Sequence, residues 1–262
     1  MVDLKEVLKE VEGWAREVGQ LQRKNFRKED LEIDTKSTVT DLVTEIDKKS
    51  EKYIIDKIEA NYPDHAILGE ETGDHHKESD YLWVIDPLDG TNNYAQGLPI
   101  YCISIGLKYR GEAILGVVYA PYLDEMYTAL KDEGAFCNGK KINVGSEKEL
   151  DRCVLATGFP YDKLTNPLNN IDYFGEIVPR LRGVRRMGAA AYDLACVAAG
   201  FLDGYWEMNL RHWDVAAGIL LVEEAGGKIS YFRDDREYSI IAGNKDVVEL
   251  VEGHIKMVDR KR

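Results

Sequence analysis

An apolar run that ends in two carboxylates constrains this chain more than any other stretch. Trp83-Val84-Ile85 is followed at once by Asp86-Pro87-Leu88-Asp89-Gly90-Thr91. Pro87 has no N–H to give to a strand ladder, so we expect the strand to stop there. Gly90 permits a close backbone approach, and Thr91 is placed to begin a helix, whose free N–H groups attract an anion.

Two carboxylates beside an anion site point to a cation. They would repel a phosphate unless a positive ion lay between them. Oxygen ligands alone suit Mg²⁺ or Mn²⁺, whereas zinc would call for His or Cys. The alternative is that Asp86 and Asp89 only cap a turn. This motif by itself leaves both interpretations open.

A second acidic cluster, Gly69-Glu70-Glu71-Thr72-Gly73, is a short loop bounded by glycines. It follows the apolar run Ala66-Ile67-Leu68. Adjacent glutamates in such a loop can supply a metal ligand, or they can be solvated surface residues. Glu70 and Glu71 are therefore candidates.

Two further carboxylates lie where helices are predicted to begin. Asp214, in His212-Trp213-Asp214, precedes an apolar helix; such an Asp is most often an N-cap, but burial of this helix would place its carboxylate inside a cleft. Asp47 follows Thr44 at the spacing of a helix cap and its first turn. Its functional interpretation is that it accepts a proton from a hydroxyl near the metals. Lys36-Ser37-Thr38 and Asp41 belong to the same stretch.

Other chemical motifs are weaker. The pair His75-His76 lies in a charged run, and adjacent histidines rarely bind one metal. Arg185-Arg186 precedes Gly188-Ala189-Ala190 and either approaches an anionic substrate or a partner subunit, or forms a salt-bridged surface. The sequence has no Gly-x-Ser-x-Gly elbow and no Walker-type lysine loop, which disfavours serine hydrolases and P-loop NTPases.

Hydrophobic periodicity predicts a mixed fold. Helices are predicted over residues 4–21, 43–60, 190–199 and 214–225, and strands over residues 81–85, 101–109, 113–120, 153–157 and 204–208. Strands in meanders with helices between them favour an α+β layered sandwich. The polar stretch of residues 146–151 divides the chain, so we expect one domain made of two packed halves, about 1–145 and 146–262.

Charge and apolar content limit the classes of partner. The chain has 34 basic and 47 acidic residues, a formal net charge of −13 and a pI near 4.9. Such a surface neither neutralises a phosphate backbone nor suits an anionic membrane, so we expect no nucleic-acid or membrane partner. No segment approaches the roughly 18 apolar residues of a membrane helix, and the first ten residues lack a signal peptide's apolar run. The four cysteines form no Cys-x-x-Cys pair, and we expect free thiols and a cytoplasmic protein.

Taken together, the motifs resemble those of the inositol monophosphatase family, within the magnesium-dependent, lithium-sensitive sugar phosphatase superfamily. The first matching signature is Gly69-Glu70-Glu71, then Asp86-Pro87-Leu88-Asp89-Gly90-Thr91-Asn92-Asn93-Tyr94 and Gly97-Leu98-Pro99. The second is Trp213-Asp214-Val215-Ala216-Ala217-Gly218 with Glu224-Ala225-Gly226-Gly227. The resemblance runs from about residue 36 to residue 228, and it implies an αβαβα sandwich and a homodimer.

The resemblance also implies roles for individual residues. Two or three Mg²⁺ ions, or Mn²⁺, would be held by Glu70, Asp86, the carbonyl of Leu88, Asp89 and Asp214. Catalysis would fall to Glu70, Thr91 and Asp47, with Thr91 and Asp47 orienting and deprotonating the attacking water. The substrate would be bound by Asp89, Gly90, Thr91, Gly188, Ala189, Ala190, Glu207 and Asp214.

The resemblance leaves the alcohol part of the substrate open, because its metal motif contacts only the phosphate. The expected activity is Mg²⁺-dependent hydrolysis of inositol monophosphate. Fructose 1,6-bisphosphate, alone or as a second substrate, and 3′-phosphoadenosine 5′-phosphate are the alternatives. A phosphatase-like scaffold that binds a partner or a cation is the non-enzymatic alternative. Ala189 stands where Ser or Thr is frequent in the family, which removes one hydroxyl from the substrate pocket.

Overall fold

Helices form the outer and central layers of the molecule. This computed structural model describes residues 2–28, 31–35, 42–75 and 77–261. The chain opens with an amphipathic helix that begins where the Asp3 carboxylate accepts the N–H groups of Lys5 and Glu6. The α-helices of the described residues are α1 (Leu4–Asn25), α2 (Glu45–Asn61), α3 (Thr91–Ala95), α4 (Ile171–Ile177), α5 (Ala190–Ala198), α6 (His212–Glu224) and α7 (Lys245–Asp259).

The strands of the described residues fall into two large sheets and one short pair of strands. They are β1 (Ile33–Thr35), β2 (Leu42–Thr44), β3 (Ala66–Gly69), β4 (Gly73–Asp74), β5 (Tyr81–Asp89), β6 (Cys102–Tyr109), β7 (Glu112–Ala120), β8 (Glu125–Leu130), β9 (Gly134–Cys137), β10 (Lys140–Lys141), β11 (Val154–Thr157), β12 (Gly183–Arg185), β13 (Gly204–Leu210), β14 (Lys228–Tyr231) and β15 (Tyr238–Gly243). Short 3-10 turns occupy Leu150–Arg152 and Val178–Arg180.

The first large sheet is mostly antiparallel, as the meander pattern predicts, whereas the second combines two parallel pairs with two antiparallel pairs. The first sheet has eight strands in the order β10-β9-β8-β7-β6-β5-β3-β4, with only β3 and β5 parallel. The second has five strands in the order β12-β11-β13-β15-β14, with β11 parallel to both of its neighbours. A turn at Arg110-Gly111 joins β6 to β7 as a hairpin. The segment of residues 142–153 connects the sheets.

Apolar cores alternate with these sheets to give five layers. Helices α1 and α2 cover one face of the first sheet, and α5 and α6 lie between the two sheets. Helices α4 and α7 cover the outer face of the second sheet. Gly116 of β7 lets α6 approach closely, because a Cβ there would lie 2.9 Å from the Ala217 carbonyl oxygen. The predicted α+β layered sandwich is confirmed.

The prediction that Pro87 ends its strand is wrong. Strand β5 continues to Asp89, and the ladder shifts register between the pairs Asp86–Ser104 and Asp89–Cys102. The chain advances three residues on β5 while it advances two on β6, which defines a β-bulge. Pro87 lies in this bulge, where no N–H is needed for the ladder. Both Asp86 and Asp89 stay paired with β6. A regular strand would point two residues three apart to opposite faces, and the extra residue between them lets both line the same pocket.

The start of α6 also differs from the prediction. The helix begins at His212, so Asp214 is its third residue and not its N-cap. Its carboxylate accepts the Arg211 N–H at 2.7 Å, which ties it back to the residue before the helix. Thr44 and Asp47 form the predicted cap at the start of α2. None of the helices in the described ranges is long and apolar enough to cross a bilayer.

Candidate active site

A cavity of about 400 Å³ lies between loops of the two large sheets. We call the residues from the first sheet and its loops the first-sheet wall; those singled out by the sequence are Glu70, Asp86, Leu88, Asp89, Gly90 and Thr91. The second-sheet wall includes residues 158–162, Arg186, Gly188, Ala189, Ala190, Glu207 and Asn209, and Asp214 reaches the cavity from α6. The structure thus gathers on one cavity every site residue that the family resemblance implied, except Asp47, whereas the other candidate of the acidic loop, Glu71, does not line it.

The bulge in β5 is held from beneath by a residue of α1. Gln22 is fully buried, and its amide donates to the Pro87 carbonyl at 2.7 Å. Beyond Pro87, the Leu88 N–H donates to the Asp86 carboxylate at 3.0 Å, which closes a tight local turn. Nothing in the sequence marks Gln22, because its partner lies 65 residues away.

The carboxyl groups of the cavity strongly influence one another. Burial first, and then the charges of Glu70, Asp89 and Asp214, hold the pKa of Asp86 well above its ordinary value. Burial likewise raises the pKa of Asp89 to about 6, although the N–H of Ala191 opposes this shift. The pKa of Asp214 is also raised well above its ordinary value, by burial and then by Asp89. Such a set is costly to keep ionised without a positive partner.

The chemistry of these side chains suits a hard divalent cation, although the side chains do not converge as ligands of a bound ion would. In the described ranges no group of three or more His, Cys, Asp or Glu side chains has the arrangement of a formed metal site. Charge repulsion acts over longer distances than ligation, so carboxylates can raise one another's pKa while standing around a shared volume. The donors are all oxygens, and the described residues that line the cavity include no His or Cys, which suits Mg²⁺ or Mn²⁺.

Thr91 and Asp47 form a direct hydrogen bond. The Thr91 hydroxyl lies 2.8 Å from Oδ1 of Asp47 and 3.0 Å from the Leu88 carbonyl oxygen, so its single proton has two acceptors. Oδ2 of Asp47 accepts the backbone N–H of Thr44 at 2.9 Å and its hydroxyl at 2.5 Å. Burial raises the pKa of Asp47, and the hydrogen bonds from Thr44 and Thr91 oppose that rise. Asp47 is fully buried and reaches the cavity only through Thr91.

Gly90 joins β5 to α3 in a conformation that favours glycine. Its φ is +94°, and a Cβ there would lie 2.9 Å from the Ile100 carbonyl oxygen. The N–H groups of Gly90 and Thr91 stand at the start of the five-residue helix α3. Asn93, in the same helix, donates to the Ile100 and Met187 carbonyl oxygens at 2.7 Å each, which fastens the two walls together.

Asp89 makes a second link between the walls. Its Oδ2 accepts the N–H of Ala191 at 2.7 Å, in the first turn of α5. A carboxylate at a helix N-terminus is favourable, because the free N–H groups there carry partial positive charge. The contact fixes Asp89 beside Ala189 and Ala190, and it spans 102 residues of sequence.

Glu207 is the main acidic group of the second-sheet wall. Tyr205 donates to its carboxylate at 2.6 Å, and burial raises its pKa to about 7. The neighbouring Asp193 escaped sequence reasoning: it is 1% exposed, and its Oδ1 has no hydrogen-bond partner within the described part of the chain. Burial, followed by Glu207 and Asp89, holds the pKa of Asp193 well above its ordinary value. In the sequence, Asp193 is the only charged residue of the apolar run of residues 190–199, and that isolation is the signal that could have marked it.

The remaining candidates divide clearly. Arg186 is exposed and lies on the cavity, whereas Arg185 donates to the Val184 carbonyl oxygen at 3.0 Å and does not line it. His75 contacts the Thr72 hydroxyl at 2.8 Å, away from the cavity. The candidates Lys36, Ser37, Thr38, Asp41 and His76 lie outside the described residues.

Fold and cavity together define a mixed, five-layered protein with an oxygen-lined acidic pocket between its two sheets. The sequence profile of the inositol monophosphatase family matches residues 3–257. The chain therefore belongs to the inositol monophosphatase family, and the resemblance seen in its motifs is confirmed.

Individual relatives carry two kinds of name. Nus factor SuhB of Escherichia coli K12 is 40% identical over 247 residues, 92% of each chain. The Thermotoga maritima IMPase structure superposes with a TM-score of 0.87 at 33% identity, covering 98% of this chain and 99% of that one. A structure of an IMPase/NADP phosphatase with Mg²⁺ and phosphate bound has a TM-score of 0.82 at 25% identity, covering 96% and 95%. Divalent-metal complexes are thus present among the structural relatives.

Proposed function

We propose that this protein is a Mg²⁺-dependent phosphomonoesterase that hydrolyses inositol monophosphate to inositol and phosphate. The observation that carries the proposal is the Thr91–Asp47 hydrogen bond beside a group of buried, mutually repelling carboxylates. Family membership and the relative with bound Mg²⁺ and phosphate support it.

The metal-holding residues in this proposal are Glu70, Asp86, Asp89, Asp214 and the Leu88 carbonyl. They would hold two or three Mg²⁺ ions, with Mn²⁺ as a substitute. When bound, such ions supply charge neutralisation for the phosphate and make a water more acidic.

The proton and the phosphate are handled by the first-sheet wall. The Thr91 hydroxyl orients the attacking water, and Asp47 takes up the proton that Thr91 passes to it. The N–H groups of Gly90 and Thr91 orient the phosphate oxygens, because helix starts favour anions. Glu70 completes the catalytic set from the neighbouring loop.

The alcohol part of the substrate then faces the second-sheet wall. When it is ionised, Glu207 accepts hydrogen bonds from the hydroxyl groups of the alcohol. Because the pKa of Glu207 is about 7, this binding depends on pH. Gly188, Ala189 and Ala190 present backbone and small side chains to the same region.

One observation favours fructose 1,6-bisphosphate as a second substrate. The exposed guanidinium of Arg186 stands on the cavity and is positioned to pair with a second phosphate group. The names of the curated relatives favour a different candidate, a phosphatase-like scaffold that acts by binding, because they are called Nus factors.

Phosphate release under Mg²⁺ from inositol 1-phosphate, fructose 1,6-bisphosphate and 3′-phosphoadenosine 5′-phosphate tests these alternatives side by side. We expect the highest kcat/KM with inositol 1-phosphate, and loss of release in Asp89→Asn. Asp151→Asn removes the same charge at an exposed position and serves as the matched control. No release from any substrate, with Mg²⁺ binding shown by calorimetry, would contradict the phosphatase proposal and favour the scaffold.

We also propose that the protein is a cytoplasmic homodimer made of one domain with two halves that meet near residue 145. Sedimentation equilibrium tests the dimer. A monomer at micromolar concentration would contradict it.

A further inference from the structure

Glu51 is a buried carboxylate whose described partners are backbone amides. It lies in the middle of α2 and is 0% exposed. One carboxylate oxygen accepts the N–H of Glu71 at 2.9 Å, and the other accepts the N–H of Thr72 at 2.8 Å. Hydrogen bonds to an ionised acceptor are stronger than neutral ones. Glu51 therefore holds the turn that joins β3 to β4.

The glycine before this turn makes room for the carboxylate. A Cβ on Gly69 would lie 2.7 Å from both Cδ and Oε2 of Glu51. No real side chain tolerates that distance, so a larger residue would push the carboxylate away from its two amides. In the motif Gly69-Glu70-Glu71, the first residue leaves space for the Glu51 carboxylate and the third donates its N–H to it. Glu70 lies between these two contacts.

We infer that Glu51 is a positioning residue that fixes the Glu70 loop and thereby sets the affinity of the acidic cavity for its divalent cation. This inference rests on the proposed function. Glu70 itself donates its N–H to the Ile85 carbonyl oxygen at 3.1 Å. Three consecutive amides are therefore tied down, the first by β5 and the next two by Glu51. The Glu70 carboxylate then has little backbone freedom to lose when a cation binds.

The same face of α2 serves both parts of the site. Asp47 and Glu51 are four residues apart, so their side chains lie on one side of the helix. Asp47 holds the Thr91 hydroxyl, and Glu51 holds the loop of Glu70. Both carboxyl groups are buried, and specific donors satisfy their oxygens. One rigid helix therefore fixes the distance between the proton acceptor and the Glu70 loop.

A carboxylate is required here because it accepts at both ends. Glutamine has the same shape but only one acceptor oxygen, so in Glu51→Gln its NH₂ group would face an amide N–H. That variant loses one of the two bonds and places two donors against each other. Glu59→Gln makes the same change at an exposed position of the same helix, which provides a matched control.

Hydrogen exchange of the metal-free proteins tests the clamp without any substrate. We expect the amides of residues 70–73 to exchange about tenfold faster or more in Glu51→Gln. Residues of β6 and α6 should be unchanged, and Glu59→Gln should match the wild type. Unchanged exchange at residues 70–73 in Glu51→Gln would overturn the inference.

Magnesium binding separates positioning from a merely structural role. By calorimetry, and by the Mg²⁺ concentration that gives half-maximal phosphate release, we expect about tenfold weaker Mg²⁺ binding in Glu51→Gln. The limiting rate at saturating Mg²⁺ should change little. A lower melting temperature with unchanged Mg²⁺ dependence would overturn the inference. If no substrate is hydrolysed, calorimetry and exchange still decide this question independently of the phosphatase proposal.

Gly69→Ala gives a second route to the same result if Glu51→Gln folds poorly. The added methyl group meets only the end of the Glu51 side chain at closest range, so it displaces the carboxylate and leaves the helix in place. We expect the same faster exchange at residues 70–73 and the same weaker Mg²⁺ binding. Wild-type values for both in Gly69→Ala would count against the clamp.

Discussion

The two walls of the cavity are built differently. In the first-sheet wall, buried side chains hold the backbone: Gln22 holds Pro87, and Glu51 holds the amides of Glu71 and Thr72. The second-sheet wall is more open, because Tyr161 is 51% exposed and Leu164, a few residues on, is 94% exposed. A wall fixed by buried hydrogen bonds suits the phosphate, which is the same in every substrate. An exposed wall suits the alcohol, which varies from one substrate to another.

The sharpest way to test the first-sheet wall is to remove the Thr91 hydroxyl. We expect Thr91→Val to lower kcat about 100-fold or more, since the proton path to Asp47 is then broken. Thr91→Ser keeps the hydroxyl and should retain most of the activity. Steady-state kinetics at saturating Mg²⁺ measure both. A Val variant as active as the Ser variant would show that Asp47 has no part in the reaction.

The second-sheet wall depends on one arginine that sequence reasoning missed. Arg236 binds both carboxylate oxygens of Asp162, at 2.9 and 2.8 Å, and donates to the Leu168 carbonyl oxygen at 2.6 Å and to the Asn209 side chain at 3.1 Å. Only 8% of its side chain is exposed. It therefore ties the loop of residues 158–168 to the end of β13.

Replacing this arginine should affect substrate binding alone. Arg236→Lys keeps the charge, but one ammonium group cannot replace Nε, Nη1 and Nη2, which reach Asn209, Leu168 and Asp162 respectively. We expect KM for inositol 1-phosphate to rise about tenfold, with kcat and the Mg²⁺ requirement nearly unchanged. The exposed Arg180→Lys is the control. If Arg236→Lys weakened Mg²⁺ activation as much as Glu51→Gln, the proposed division of labour between the walls would be wrong.

Replacing Arg186 should have a smaller effect, which changes the preference between substrates. Arg186→Gln removes the exposed guanidinium from the cavity. An exposed pair with a phosphate is worth little more than about 1 kcal/mol, so kcat/KM for fructose 1,6-bisphosphate should fall about fivefold. The value for inositol 1-phosphate should stay close to that of the wild type. Equal losses for both substrates would show that Arg186 does not select between them.

Contacts between residues close in the sequence could be predicted, whereas hydrogen bonds between distant residues could not. The α2 cap by Thr44 and Asp47 follows from a spacing of three residues, and the structure contains it. Gln22 and Glu51 could not be recognised, because their partners lie 65 and 20 residues away and neither belongs to a motif. The strand through Pro87 was missed because a bulge depends on the neighbouring strand, not on the proline itself.

The helices and strands could be predicted from periodicity because periodicity is also a local signal. Strand β6 alternates small or polar with apolar residues, β7 is an apolar run, and the turn between them at Arg110-Gly111 is visible in the sequence. The order of strands in the two sheets has no comparable local signal. The site residues were found because a family resemblance supplied the long-range contacts that periodicity lacks.

The smallest predicted effect concerns the aromatic cluster beyond the C-terminal end of α2. His65 stacks between Tyr62 and Tyr81, and its Nδ1 lies 3.1 Å from Nε1 of Trp83. The indole N–H can only donate, so Nδ1 must be unprotonated to accept it. Burial lowers the pKa of His65 below its ordinary value of 6.5, with a smaller contribution from Lys77 and against the opposing charge of Asp64.

A histidine with a lowered pKa makes the fold less stable in acid. Below pH 6.5 the unfolded chain takes up a proton that the folded chain refuses until its own lower pKa is reached, so stability falls as the pH falls through this window. At pH 7.5 neither state is protonated and the effect is absent. We expect the urea midpoint to drop less between pH 7.5 and 5.5 in His65→Gln, whose amide oxygen can accept the Trp83 N–H, than in the wild type. Since His65 lies where α2 meets β5, acid should loosen the support of the first-sheet wall and leave exchange in β13 unchanged. An NMR titration that gave His65 a pKa at or above 6.5 would contradict this account.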